Sequence, residues 1–195
     1  MASSIRQLTQ ERPWVARLLT AYGLDPNCPG PLPGNPELQM HLRQIWNGPE
    51  DLRRLSPPEL LDYIVHCHHR YLRRVLPRLI QLATSLGHPI LPDLQALLHE
   101  GYPHMFREEV EVFPAIREIC TENRPASHLP RWIARLELEH ERTLERFFRI
   151  RQLLAQPHED RARPLLVGLA ELDEDMRWHM YAENELLFSR VLKSA

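Results

Sequence analysis

From residue 57 onward the sequence is built almost wholly of long stretches with helical apolar spacing, divided by short breaks rich in proline and glycine. The first runs from about 57 to 86 and is stopped by "GHP". The second runs from about 91 to 120, the third from about 129 to 156 and the fourth from about 164 to 193. No alternating strand pattern competes with them. Helices this long with connections this short must lie antiparallel beside one another, so the expected fold is all-α: an antiparallel up-down four-helix bundle over residues 57–195. "LSPPELL" opens the first helix, with Ser56 as N-cap and Glu59 placed for a capping box.

Residues 1–56 have a different character. Residues 5–22 carry the spacing of a short amphipathic helix, a proline-rich stretch follows over 24–36, and "LQMHLRQIW" gives a second short helix. This is expected to be a small N-terminal helical domain, too short for much core of its own and so docked on the bundle or on a partner. The net charge of −2 gives no reason to expect nucleic acid as a partner. No apolar run approaches the ~20 residues that a membrane helix needs. The N-terminus lacks an uninterrupted apolar region of the secretory kind, and the three cysteines form no CxxC pair, which together fit a cytoplasmic, reducing setting.

Within the bundle one pattern occurs twice. "HMFREEVEVF" (104–113) and "HMYAENELLF" (179–188) both read His, Met, aromatic, any residue, Glu, then Phe after four more. Residues four apart share a helix face, so His104 with Glu108, and His179 with Glu183, can each direct an imidazole and a carboxylate at one point. One such pair is weak evidence. Depth strengthens it: His69, His104, His140 and His179 each lie roughly 13–18 residues from the connections of their helices, which puts one histidine per helix at a common level. Four imidazoles and two carboxylates at one depth are costly to bury unless a metal binds them or every group is hydrogen-bonded. The donor set suits iron or another first-row divalent metal rather than a thiolate-held structural zinc.

The other histidines have plainer readings. His66 shares the face of His69 and is a candidate partner or fifth ligand, while His68 is rotated toward solvent or a neighbouring helix. His41, His99, His128 and His158 read as surface or capping residues, and Cys67 as a small buried residue.

At these residues the chain resembles the repair-of-iron-centres (RIC) di-iron proteins, which have a hemerythrin-like domain. "DYIVHCHHRYLRRVLPRL", "HMFREEVEVFPAI", "LEH" and "HMYAENELLF" match that family's four ligand segments in order. The resemblance implies His69, His104, Glu108, His140, His179 and Glu183 as ligands of two iron ions, with Glu108 and Glu183 bridging them beneath an oxo or hydroxo group. It implies a role in nitrosative and oxidative stress: binding or reducing nitric oxide, or helping to restore damaged iron–sulfur proteins. The alternative is a hemerythrin-like carrier or sensor of O2 or NO without turnover. A ferritin-like oxidase ranks low, because only Glu137 and His140 supply its Glu-x-x-His spacing.

The chain departs from the family in two places. "AYGLDPNCPG" aligns with a Tyr-Gly-x-Asp-x-Cys-Cys-Gly-Gly pattern, but Asn27 and Pro29 stand in the first Cys and first Gly positions, leaving Cys28 single. Pro103 removes a helical hydrogen bond beside His104 and predicts a kink there.

His88 sits at the first connection, roughly 28 Å along a straight helix from His69. His88→Ala is therefore expected to leave metal content unchanged. Elemental analysis of the purified variant checks this, and loss of a metal equivalent would bring His88 into the site.

Overall fold

The computed structural model describes residues 4–122, 126–156 and 159–194; His158 lies outside them. Three short helices lead: α1 (Ile5–Glu11), α2 (Val15–Ala21) and α3 (Pro36–Gln44). The expected single helix over 5–22 is split where Pro13 interrupts the hydrogen-bond ladder. Four bundle helices follow: α4 (57–86), α5 (91–122), α6 (Leu129–Leu154) and α7 (163–194). Each packs on its neighbours in sequence, and α4 closes the ring against α7. Among the described residues no strand forms beyond an isolated Ser4–Pro31 bridge.

The local signals act as read. The Ser56 backbone N–H donates to the Glu59 carboxylate at 2.8 Å at the start of α4. Gly87 ends α4 in the left-handed conformation, at φ 59°. Gly168 lets α7 approach α4 closely, since a Cβ there would lie 2.6 Å from Leu79 Cδ2.

Three bundle helices are not α-helical throughout. Wider π turns occupy Ile64–His69 in α4, Glu108–Val112 in α5 and Tyr181–Phe188 in α7. Each contains residues of the His/Glu pattern, which fits the tendency of π segments to gather at functional sites. The chain stays helical through Pro103, and the irregularity comes where the π turn opens at Glu108.

The core has two apolar parts with a polar layer between them. One joins Leu76, Leu79, Leu94, Phe147, Leu165 and Leu169. The other joins Leu60, Ile64, Phe113, Ile116, Ile133 and Leu187, and it also takes in Ile5, Leu18, Leu19, Leu38 and Ile45 from the N-terminal helices. These helices thus share a core with one end of the bundle. Trp14 donates from its indole N–H to the Ile45 carbonyl at 3.0 Å, within the N-terminal segment, whereas Trp46 stays partly exposed under the Arg12 guanidinium.

The same contact buries His41, which the sequence places on the surface. The correction has a clear cause: α3 turns this side chain onto α4. There His41 meets the Tyr22 hydroxyl at 2.7 Å and stacks on His66. Burial, reinforced by His66, pushes the His41 pKa down to about 4. A histidine whose folded pKa lies below its unfolded value of about 6.5 contributes stability that is present above pH 6.5 and lost as the pH falls toward 4. Stability should therefore fall more gently between pH 6.5 and 4 in His41→Gln than in the parent chain. Urea midpoints measured across that range check this, and parallel curves would remove His41 from the account.

Candidate metal centre

The polar layer between the two core parts contains His69, His104, Glu108, His140, His179 and Glu183, all buried. The structure brings all six together. Their ligand atoms fall into two overlapping groups, His69, Glu108, His179, Glu183 and His104, Glu108, His140, Glu183, each gathered within 4.8 Å. His69 Nε2 faces His179 Nε2 at 3.2 Å, and His104 Nε2 faces His140 Nε2 at 2.9 Å.

Each glutamate spans both pairs. Glu108 places Oε2 3.4 Å from His69 Nε2 and Oε1 3.1 Å from His104 Nε2. Glu183 places Oε1 2.9 Å from His179 Nε2 and Oε2 3.1 Å from His140 Nε2. The repeated phenylalanine of the two motif copies also gains a purpose. Phe113 stacks near His69, with ring centroids 6.0 Å apart, and Phe188 near His140, at 6.5 Å.

Three imidazoles are steered from behind. His69 Nδ1 donates to Glu109 at 2.6 Å, His104 Nδ1 to Glu139 at 2.8 Å, and His140 Nδ1 to the Asn184 side-chain oxygen at 2.9 Å. A carboxylate or amide oxygen can only accept, so each Nδ1 carries its proton and each Nε2 is left to face the cluster. Glu109 is held in turn by Arg73, and Glu139 by Arg107 and Arg135. The fourth, His179, has no hydrogen-bond partner at Nδ1 among the described residues and instead stacks flat on His68, with centroids 5.2 Å apart.

The charged groups of the layer shift one another's protonation. Burial and the facing Glu183 both work to protonate Glu108, but His104 and His69 outweigh them and hold its carboxyl below the usual range. Burial acts likewise on Glu183, and His179, His140 and His69 hold it well below. Burial disfavours charge on His104, yet Glu108 and Glu139 raise it to about 10. The same contest raises His69 well above its ordinary value and raises His140, whereas burial prevails at His179 and lowers it. Glu139 is pulled down to about 2, chiefly by His104, with Arg107 adding to the effect against burial.

Both Glu108 oxygens and Glu183 Oε2 are buried without a well-formed hydrogen bond. Unsatisfied anionic oxygens facing paired Nε2 atoms are the surroundings a cation requires, and the mixed oxygen and nitrogen donors fit iron.

His66 and His68 belong to neither group of the layer. His66 turns away from it and meets Glu37 at 3.1 Å, because it lies on the side of α4 that the N-terminal helices cover. His68 is buried against α7, with Nδ1 2.9 Å from Asp175. Cys67 is buried and outside both groups, and neither group includes His88. Sequence reasoning missed Glu109, Glu139, Asn184 and Asp175. A signal existed for the first three, since each is a polar residue directly beside a proposed ligand.

Fold and site define an all-α bundle protein with a buried His/Glu cluster of a composition suited to iron. The chain is 28% identical over 159 residues to the iron-sulfur cluster repair protein YtfE of Yersinia pestis (strain Pestoides F), the match covering 74% of this chain and 70% of the relative. The protein of the same name from Yersinia pseudotuberculosis (serotype O:1b, strain IP 31758) matches to the same extent. No family model matches the chain. Over 74% of its length the chain is thus similar to RIC-type proteins. Among the described residues, no helix is long and apolar enough to cross a membrane.

Glu139→Gln removes the charge that orients His104 and anchors Arg107. Metal affinity should fall by about ten- to a hundredfold with helicity unchanged. Competition against a calibrated chelator, alongside circular dichroism, checks this.

Proposed function

We propose that the protein holds two iron ions at the His/Glu layer and serves in the repair of damaged iron–sulfur clusters under nitrosative and oxidative stress. The observation that carries the reading is the pair of overlapping ligand groups that share Glu108 and Glu183. In it, His69 and His179 would hold one iron, His104 and His140 the other, and both glutamates would bridge. Iron bound there would supply one-electron chemistry and open positions for small ligands such as NO and O2. The chain's own contribution is to fix the donors. Glu109, Glu139 and Asn184 hold three imidazoles in the tautomer that presents Nε2, and apolar core parts flank the layer.

In this reading residues 57–195 are the hemerythrin-like unit, and residues 1–56 a docked segment whose single Cys28 cannot supply a dithiol. That single cysteine is the one feature favouring a carrier or sensor of O2 or NO instead. N2O formation in single-turnover reactions with nitric oxide would distinguish NO reduction from mere binding.

The direct test of repair is an iron–sulfur enzyme inactivated by nitric oxide. Iron-loaded protein should restore its activity faster than the same amount of free iron, and equal rates would overturn the proposal. Glu108→Ala and Glu183→Ala should each cut metal content to well under half of the parent value, more than any other single carboxylate change, because each would touch both metals. Elemental analysis and the visible spectrum check this. Full metal content with an unchanged spectrum in both variants would overturn the bridging roles.

A further inference from the structure

A cavity of about 320 Å³ opens on one side of the His/Glu layer. His104, His140 and His179 line it, but His69 does not. The layer is therefore approached from the His104/His140 side, while His69 is closed in beside Phe113. The walls are apolar, formed by Leu72, Leu97, Met105, Phe147, Met176 and Met180. A water's share of liquid volume is about 30 Å³, so a diatomic molecule would use only a small part of this space. The volume instead falls at the lower end of the range for organic ligands, about 300–1,000 Å³.

The rim carries charged side chains of both signs. Glu100 is taken up by Arg146 at 2.6 Å, and Glu139 by His104, Arg107 and Arg135. Arg142 also lines the cavity, and among the described residues it meets no acidic partner. The rim thus offers one unmatched positive charge above an apolar interior that ends at histidines.

We propose that this cavity binds a small organic monoanion, a carboxylate with an apolar chain. The carboxylate sits at Arg142, and the chain lies along Leu97, Met105 and Phe147 toward His104 and His140. Its meaning for function rests on the reading of the layer as a metal centre: the anion would stand over the more accessible half and decide which small molecules reach it. Binding itself does not require that reading.

The test uses the full chain, both as purified and after iron loading, with octanoate as the probe in calorimetry. Octanamide and acetate serve as controls lacking the charge and the chain. Octanoate should bind about tenfold more tightly than either, as one charge-assisted contact or a buried chain would give. Arg142→Ala, an exposed position, should lose about tenfold for octanoate and nothing for octanamide. Leu97→Trp should fill the cavity and weaken both. If octanoate binds no better than acetate, or if Arg142→Ala leaves it unchanged, the proposal fails. Metal analysis of the same samples separates the two readings. Octanoate binding with this pattern to a chain that takes up no iron would sink the iron proposal and leave the cavity standing. An iron-loaded chain that ignores octanoate would do the reverse.

Discussion

Two carboxylates with no exposed surface sit at the centre of the bundle, and much of the surrounding design answers to them. An isolated buried carboxylate is prohibitively expensive, so Glu108 and Glu183 must be matched by positive charge, whether protons or metal. The four imidazoles provide the site for either. This requirement fixes the relative height of α4, α5, α6 and α7, because each helix must deliver its histidine to the same level. It also divides the apolar core in two, since nothing apolar can occupy that layer. The outer partners Glu109, Glu139 and Asn184 then determine which nitrogen each of three rings presents.

The two sides of the layer are finished differently. Toward one end of the bundle, the N-terminal helices complete the core with Leu18, Leu19, Leu38 and Ile45. A charged link also runs from them into the interior: Arg17 reaches Glu174 at 2.9 Å and Asp175 at 3.8 Å, and Asp175 holds His68, which lies flat on His179. On the other side the core does not close fully, and the cavity beside His104 and His140 remains. The arrangement is thus covered and braced at one end and accessible toward the other.

Much of this was legible in the sequence, for physical reasons. The four helices follow from apolar spacing and from the stops at Gly87 and the proline-containing breaks, and the observed ends fall close to the expected ones. The four layer histidines follow from counting positions inward from the connections, which works because antiparallel helices share their loops as a common reference, and Glu108 and Glu183 follow from the four-residue spacing to His104 and His179. What escaped was whatever depends on side-chain direction. His41 and His66 turn toward the N-terminal helices, and their burial could be known only once that segment was placed. Glu109, Glu139 and Asn184 sit beside layer residues in sequence, where regular α-helical geometry would rotate them by about 100°. The π turns were invisible as well, because no residue type marks them as glycine marks a helix end.

Those π turns bear on how the gene can vary. A π turn is in effect one residue more than the α-helix would need, so each wide segment acts as a phase shift between the apolar stripes on its two sides. Removing one residue from Ile64–His69, Glu108–Val112 or Tyr181–Phe188 would restore an ordinary helix. It would also rotate everything beyond by about 100° relative to the bundle axis. One half of the helix would then present its polar face to the core. Substitutions in these segments are a matter of local chemistry, whereas single-residue deletions are a matter of register, and the same length change in a connecting loop would be absorbed.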